Sequence, residues 1–119
     1  MSDERFRFEK LTVYQRSLEL TNNIYKLTKE WPREYLFDLT SQIRRATLSI
    51  PLNIAEGSGR GKNEFKRFLE ISRSSCFEII PLVEIAVKQN LVTVNVKDEI
   101  IDEVYQISKM ISKLKSSMK

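Results

Sequence analysis

The sequence predicts an all-α fold, an antiparallel up-and-down bundle of four helices. Three observations carry that reading. Gly and Pro supply only three residues each of 119, about 5% together against an average near 12%, too few for a turn-rich β fold. Apolar residues recur at helical spacing through four long segments. Only three points of punctuation divide those segments: Trp31-Pro32, Gly57-Ser58-Gly59-Arg60-Gly61, and Asn90 to Asn95. The expected helices span about 8–30, 36–56, 63–89 and 96–118, each roughly 30–40 Å long at ~1.5 Å per residue.

The first segment stops near Trp31 because the residue before a proline is disfavoured in the α region. At about 100° per residue, Leu11, Tyr14, Leu18 and Tyr25 form one stripe. Val13, Leu20, Ile24, Leu27 and Trp31 form a second, roughly 150° away. A helix apolar on two faces is covered on both sides.

In the second segment Leu39, Ile43, Ala46, Ile50 and Ile54 make the main stripe. Phe37, Leu48, Leu52 and Ala55 make another. Pro51 lies inside and predicts a kink. The third segment carries Phe65, Phe68, Leu69, Cys76, Ile79, Ile80, Val83, Ala86 and Val87 on one face, with Ser72 as a polar break and a second kink expected at Pro81. In the fourth, Ile100, Val104, Ile107, Ile111, Leu114 and Met118 repeat like a coiled-coil seam. Asn95 is the expected N-cap, with acids crowding the start and lysines the end.

A length of 119 residues fits one domain, residues 1–119. With 41% hydrophobic and 30% charged residues, the chain reads as globular. The surplus apolar faces predict a homo-oligomer of cyclic symmetry. The interface is assigned to Val13, Leu20, Ile24 and Leu27 with Leu48 and Leu52.

Several function classes are excluded. The chain has one Cys and no His, so it has no intramolecular disulfide, no Cys- or His-based metal site, no Ser-His-Asp or Cys-His catalysis, and no ExxH di-metal pattern. No cofactor, metal or catalytic constellation is visible, and the protein reads as a non-enzyme. No apolar run approaches membrane-spanning length. Met1 to Lys10 is charged and lacks the apolar core of a signal peptide. The expected location is cytoplasmic.

Charge placement points to a partner. The net charge is +4, and the excess sits between Gln42 and Arg73, where seven basic residues meet three acids; the rest holds 13 of each sign. The candidate nucleic-acid-binding residues are Arg44, Arg45, Arg60, Lys62, Lys66 and Arg73. Arg44 has an alternative role in an intersubunit or interhelix ion pair with a Glu. Lys62, Lys66 and Arg73 fall within about 40° of one another on a helix, which also suits a merely solvated edge. Repeated around an oligomer, that edge would attract a polyanion.

The Gly-rich turn is not a phosphate loop of the Walker type. With Gly61-Lys62 as its Gly-Lys pair, the first glycine would stand where Glu56 does, and Asn63 replaces the needed Ser or Thr. Two readings remain for Gly57, Ser58, Gly59 and Gly61: a left-handed helix cap, or a nest whose N–H groups take a phosphate. Tyr14, Tyr25, Phe65 and Phe68 lie on apolar stripes and read as core. Trp31 and Tyr35 are the freer aromatics for stacking on bases. Cys76 reads as a buried apolar residue.

The run Leu39-Thr40-Ser41-Gln42-Ile43-Arg44-Arg45-Ala46, then Ser49-Ile50-Pro51, then Asn53-Ile54-Ala55-Glu56-Gly57-Ser58-Gly59-Arg60, then Glu64-Phe65 and Arg67-Phe68-Leu69, is distinctive. It resembles the four-helix bundle family of 23S rRNA intervening-sequence proteins, related to accessory proteins of diversity-generating retroelements. The likeness starts at Phe8-Glu9-Lys10-Leu11 and covers nearly the whole chain. Family-matching positions are Arg44, Arg45, Asn53, Glu56, Gly57, Ser58, Gly59, Arg60 and Phe65. Leu52 departs from a usual small polar residue, and Cys76 to Pro81 departs from a more ordinary helical stretch. The resemblance implies a ring-like pentamer and nucleic-acid binding, RNA rather than DNA. In the retroelement branch it implies a partner protein, a reverse transcriptase. The alternative function is therefore a protein-binding scaffold or accessory subunit.

Overall fold

A computed structural model of the chain describes residues 6–118; Met1–Arg5, part of the stretch read against a signal peptide, and Lys119 lie outside the described residues. These form four α-helices: α1 (Thr12–Thr28), α2 (Ser41–Ser58), α3 (Lys62–Lys88) and α4 (Val94–Ser117). Short turns join α2 to α3 and α3 to α4, which makes those neighbours antiparallel. The α2–α3 pair is the most extensive packing, with α1 laid on α2 and α4 on α3.

Helix α1 begins four residues later than its periodicity suggests. Residues Arg7–Lys10 form a separate 3-10 turn, and Leu11 is extended with φ −72° and ψ 124°. The break has a reason. On one continuous helix, residues 8 and 14 would point about 120° apart. With the turn, the Phe8 ring meets the Tyr14 ring edge-on at 4.9 Å, and Gln15 Nε2 donates to the Glu9 carbonyl at 3.0 Å. The segment expected to open helix two at residue 36 is a π turn, Leu36–Thr40, that leads into α2.

Helices α2 and α3 run without interruption through Pro51 and Pro81. Pro51 has no N–H, so the Thr47 carbonyl one turn earlier loses its helical donor. The Thr21 hydroxyl of α1 stands 3.5 Å from that carbonyl. Small residues let α2 and α3 approach closely. Ser72 Oγ donates across the pair to the Ile50 carbonyl at 2.9 Å, and Ser75 Oγ to Ser49 Oγ at 2.8 Å.

Gly57 lies buried inside α2. A Cβ there would stand 2.5 Å from Phe68 Cβ and 3.0 Å from Phe65 Cδ1. Gly59 caps α2, but with φ −84°, so the left-handed conformation expected of this glycine turn is corrected: no described glycine has positive φ. The left-handed residue is Asn90, φ 61°, at the end of α3. Its N–H bonds the Val87 carbonyl at 3.0 Å, and the Leu91 N–H bonds Ala86 at 2.8 Å, which together form a Schellman ending. The N-cap of α4 is Thr93 and not Asn95, because Thr93 Oγ1 accepts from the Val96 N–H at 3.2 Å.

The core holds Ile24, Ile43, Ile50, Ile54, Leu69, Ile79, Ile107 and Ile111, all fully buried. Each contributes about 1.5–3 kcal/mol of burial. Val13, Leu20 and Ile24 were expected at an oligomer interface, and this corrects them: all three are buried in the chain's own core. Leu27 is packed against that core. The two apolar faces of α1 are thus interchanged, since the stripe with Leu18 and Tyr25 is the one left exposed. On α2 the second face is outward as expected, with Leu52 61% exposed and Leu48 half-buried. Trp31, expected to be free for stacking, is buried, and Tyr35 is half-buried with its hydroxyl bonded to Gln89 Oε1 at 3.1 Å.

Candidate nucleic-acid interface

The six basic candidates do not form one surface. Arg44, near the start of α2, turns toward α1. Its Nε donates to Thr28 Oγ1 at 2.8 Å, and its guanidinium lies over the Tyr25 ring at 4.6 Å. Within the chain it makes no ion pair with a Glu among the described residues, which corrects the interhelix form of that role. Arg45 is exposed on the outer face of α2. At ~1.5 Å per residue, this pair lies roughly 20 Å along α2 from the turn that carries Arg60.

Arg60 and Lys62 flank the α2–α3 turn. Arg60 pairs with Glu56 at 2.6 Å and lies over the Phe68 ring at 5.0 Å. Arg67 covers the same ring at 4.8 Å and binds Glu64 through two nitrogens. Its hydrogen bonds hold the Glu64 carboxyl below its ordinary range. Phe68 thus has two guanidinium groups against its ring. Lys62 is exposed and makes no ion pair among the described residues.

The glycine turn offers less than a nest. Gly57 faces Phe65 and Phe68, not solvent, and the Ser58 hydroxyl donates back to the Ala55 carbonyl at 2.9 Å. Gly59 and Gly61 are exposed. Gly61 is the extended N-cap of α3 without a side-chain acceptor, and the first helical N–H bond runs from Phe65 to Gly61 at 2.9 Å. The N–H groups of Lys62, Asn63 and Glu64 therefore lack helical acceptors.

Lys66 and Arg73 do meet. They line a cleft of about 380 Å³ between α3 and the end of α4, together with Glu70, Ser112, Lys115 and Ser116. Lys115 Nζ lies 3.0 Å from Glu70 Oε1, and Arg73 Nη1 lies 3.5 Å from Glu70 Oε2. The Lys115 hydrogen bond, then the charges of Lys115 and Arg73, hold the Glu70 carboxyl below the ordinary glutamate range. Two cations thus pair with one acid, and Lys66 lines the same cleft. Arg73 Nε is buried without an acceptor. Lys115 was missed in the sequence because its partners lie 45 residues away on α3. Its only sequence signal was the lysine-rich, acid-free end of α4.

The Cys76 thiol is buried, and burial pushes its pKa up to about 12. It is therefore a protonated core group and not a nucleophile. Among the described residues no helix is long and apolar enough to cross a membrane.

Comparison with known proteins agrees with this architecture. A protein from the S23 ribosomal protein family of Bacteroides thetaiotaomicron, described as of unknown function, is similar in structure. It shares 24% identity at a TM-score of 0.80, over 87% of this chain and 95% of that one. At that identity the likeness speaks to the fold. No curated protein matches significantly. The family model for the 23S rRNA-intervening sequence protein matches residues 9–113, and the chain belongs to that family.

Proposed function

We propose that this chain is a non-enzymatic RNA-binding bundle that contacts phosphates through the edge formed by the α2–α3 turn, α3 and the end of α4. The observation that carries the reading is the cleft lined by Lys66, Arg73 and Lys115 with a single acid, Glu70, which Arg73 and Lys115 both engage. Lys62 lies one turn before Lys66 on α3, Arg60 lines a neighbouring cleft with Arg7, and Ser58, Gly59 and Gly61 leave the first N–H groups of α3 open at that end. Membership of a family named for an intervening sequence in 23S rRNA supports RNA over DNA. Residues 1–119 act as one unit, in the cytoplasm, as a homopentamer. Five copies at +4 each sum the modest charge into a field that draws a polyanion.

The test is alanine substitution in two groups. Replacing Lys66, Arg73 and Lys115 together weakens binding of a structured RNA and flattens its salt dependence by two to three phosphates, at a slope of roughly 0.7–0.9 each. Replacing Arg44 leaves the slope unchanged, since its guanidinium is engaged with Thr28 and Tyr25. Equal effects from both groups would reject the site.

A second reading, a scaffold that docks a partner protein such as a reverse transcriptase, is favoured by a different face. Leu18, Tyr25 and Leu52 are exposed on the outer side of α1 and α2, beside half-buried Leu48, and Phe37 nearby is 90% exposed. The same face suits contacts between subunits. Leu52→Glu lowers the mass measured by light scattering if the face joins subunits. An unchanged mass with loss of the partner protein assigns it to docking.

A further inference from the structure

A second cleft, of about 590 Å³, opens beside the phosphate cleft and shares Arg73 and Ser112 with it. Phe77 of α3 and Tyr105 of α4 line it, 48% and 58% exposed. Each ring has a cation on one face: the Arg73 guanidinium lies 4.9 Å from the Phe77 centroid, and Lys109 Nζ lies 4.9 Å from that of Tyr105. Neither ring lies on the core stripe of its helix, and core packing does not account for two exposed aromatics lining one cleft.

We propose that the two clefts form one groove for unpaired nucleotides, with backbone phosphate held by Lys66, Arg73 and Lys115 and one base stacked on each of Phe77 and Tyr105. This rests on the RNA-binding reading and adds the strand state of the ligand. The chemistry selects the occupant. Lys66, Arg73, Lys109, Lys113 and Lys115 line the clefts against one acid, Glu70. A second copy of the same face would bring cations against cations. A duplex can satisfy the lysines, but its base faces are stacked internally and cannot use the rings. Only a polyanion with free π-faces uses both halves, and such stacking tolerates any base. Arg73 joins the two halves. Its Nη1 reaches toward Glu70 in the first cleft while its guanidinium plane covers Phe77 in the second.

The experiment compares a labelled single-stranded RNA with its duplex by fluorescence anisotropy at one salt concentration. The wild type binds the single strand more tightly. Phe77→Leu and Tyr105→Leu each keep an apolar side chain but remove the ring. Each lowers single-strand affinity by about five-fold or more, the usual loss for one stacked base, and leaves duplex affinity unchanged. Tyr105→Phe retains wild-type binding, which separates loss of the π-face from loss of fold. Equal affinity for both forms, unmoved by the ring variants, overturns the groove and leaves RNA binding standing. An equal loss for an acidic peptide also overturns it, because such a ligand has no bases. If neither RNA form binds, both the groove and the RNA reading fall.

Discussion

Gly57→Ala sets two known effects against each other, and the structure decides which wins. Inside a helix, alanine is better than glycine by about 1 kcal/mol. On propensity alone the variant would be more stable. But the added Cβ would lie 2.5 Å from Phe68 Cβ and 3.0 Å from Phe65 Cδ1, where carbon pairs prefer about 3.5–4.0 Å. Phe68 Cβ is bonded to the α3 backbone and cannot rotate away, so α2 and α3 must separate. That shift also stretches the neighbouring bonds from Ser72 to Ile50 and from Ser75 to Ser49. Overpacking costs typically 1–3 kcal/mol. At the upper end, the net loss is about 2 kcal/mol after the propensity gain. For a domain of this size the midpoint would fall by roughly 8 °C. Thermal and urea melts followed by circular dichroism measure it. Gly59→Ala is the control, because its nearest neighbour is 3.8 Å away and its φ is −84°; it is neutral or slightly stabilising. A Gly57→Ala protein as stable as the wild type would refute the close-packing argument.

Other consequences are open to measurement. Glu70→Gln frees Lys115 and Arg73 from their shared carboxylate and tightens RNA binding beyond the effect of Glu84→Gln, which makes the same charge change at an exposed site on α3; equal gains would show that only net charge matters. The lowered Glu70 pKa stabilises the fold above the ordinary carboxylate pKa, and that contribution is lost as pH falls through the folded value, a slope that acid melts of Glu70→Gln should lack. The Cys76 thiol sits at about 12 in the fold, so stability is unaffected below about pH 8.5 and declines above it as the unfolded thiol ionises; a comparison with Cys76→Ala, whose alkaline slope is flatter, checks this. Ser72→Ala removes the bond to the Ile50 carbonyl and lowers stability by about 1 kcal/mol in urea melts.

Helix number and the α2, α3 and α4 core faces were legible because their apolar residues repeat at helical spacing. On α1, periodicity marked two stripes but not which one faces the other helices; only packing against α2 and α4 buries Val13, Leu20 and Ile24. Gly57 was misread as a turn residue because a glycine next to Gly59 and Gly61 looks local, whereas its constraint comes from Phe65 and Phe68 across a helix interface. Lys62, Lys66 and Arg73 were visible as a basic edge of one helix, and Arg60 as a basic residue of the glycine turn. The meeting of Lys66 and Arg73 with Lys115 depends on the antiparallel return of α4, which spacing along the chain does not encode. Phe77 and Tyr105 lie next in sequence to core residues Cys76 and Val104, about 100° off each stripe. That offset was the available signal for exposed rings.

The central claim is that this bundle binds RNA mainly through phosphates. The most direct measurement is the affinity of the unmodified protein for a structured RNA, titrated from about 50 to 200 mM salt beside a DNA duplex. Phosphate binding makes log affinity fall linearly with log salt, with a slope of several phosphates and tighter binding to RNA. No binding at the lowest salt, or an affinity indifferent to salt, would contradict it.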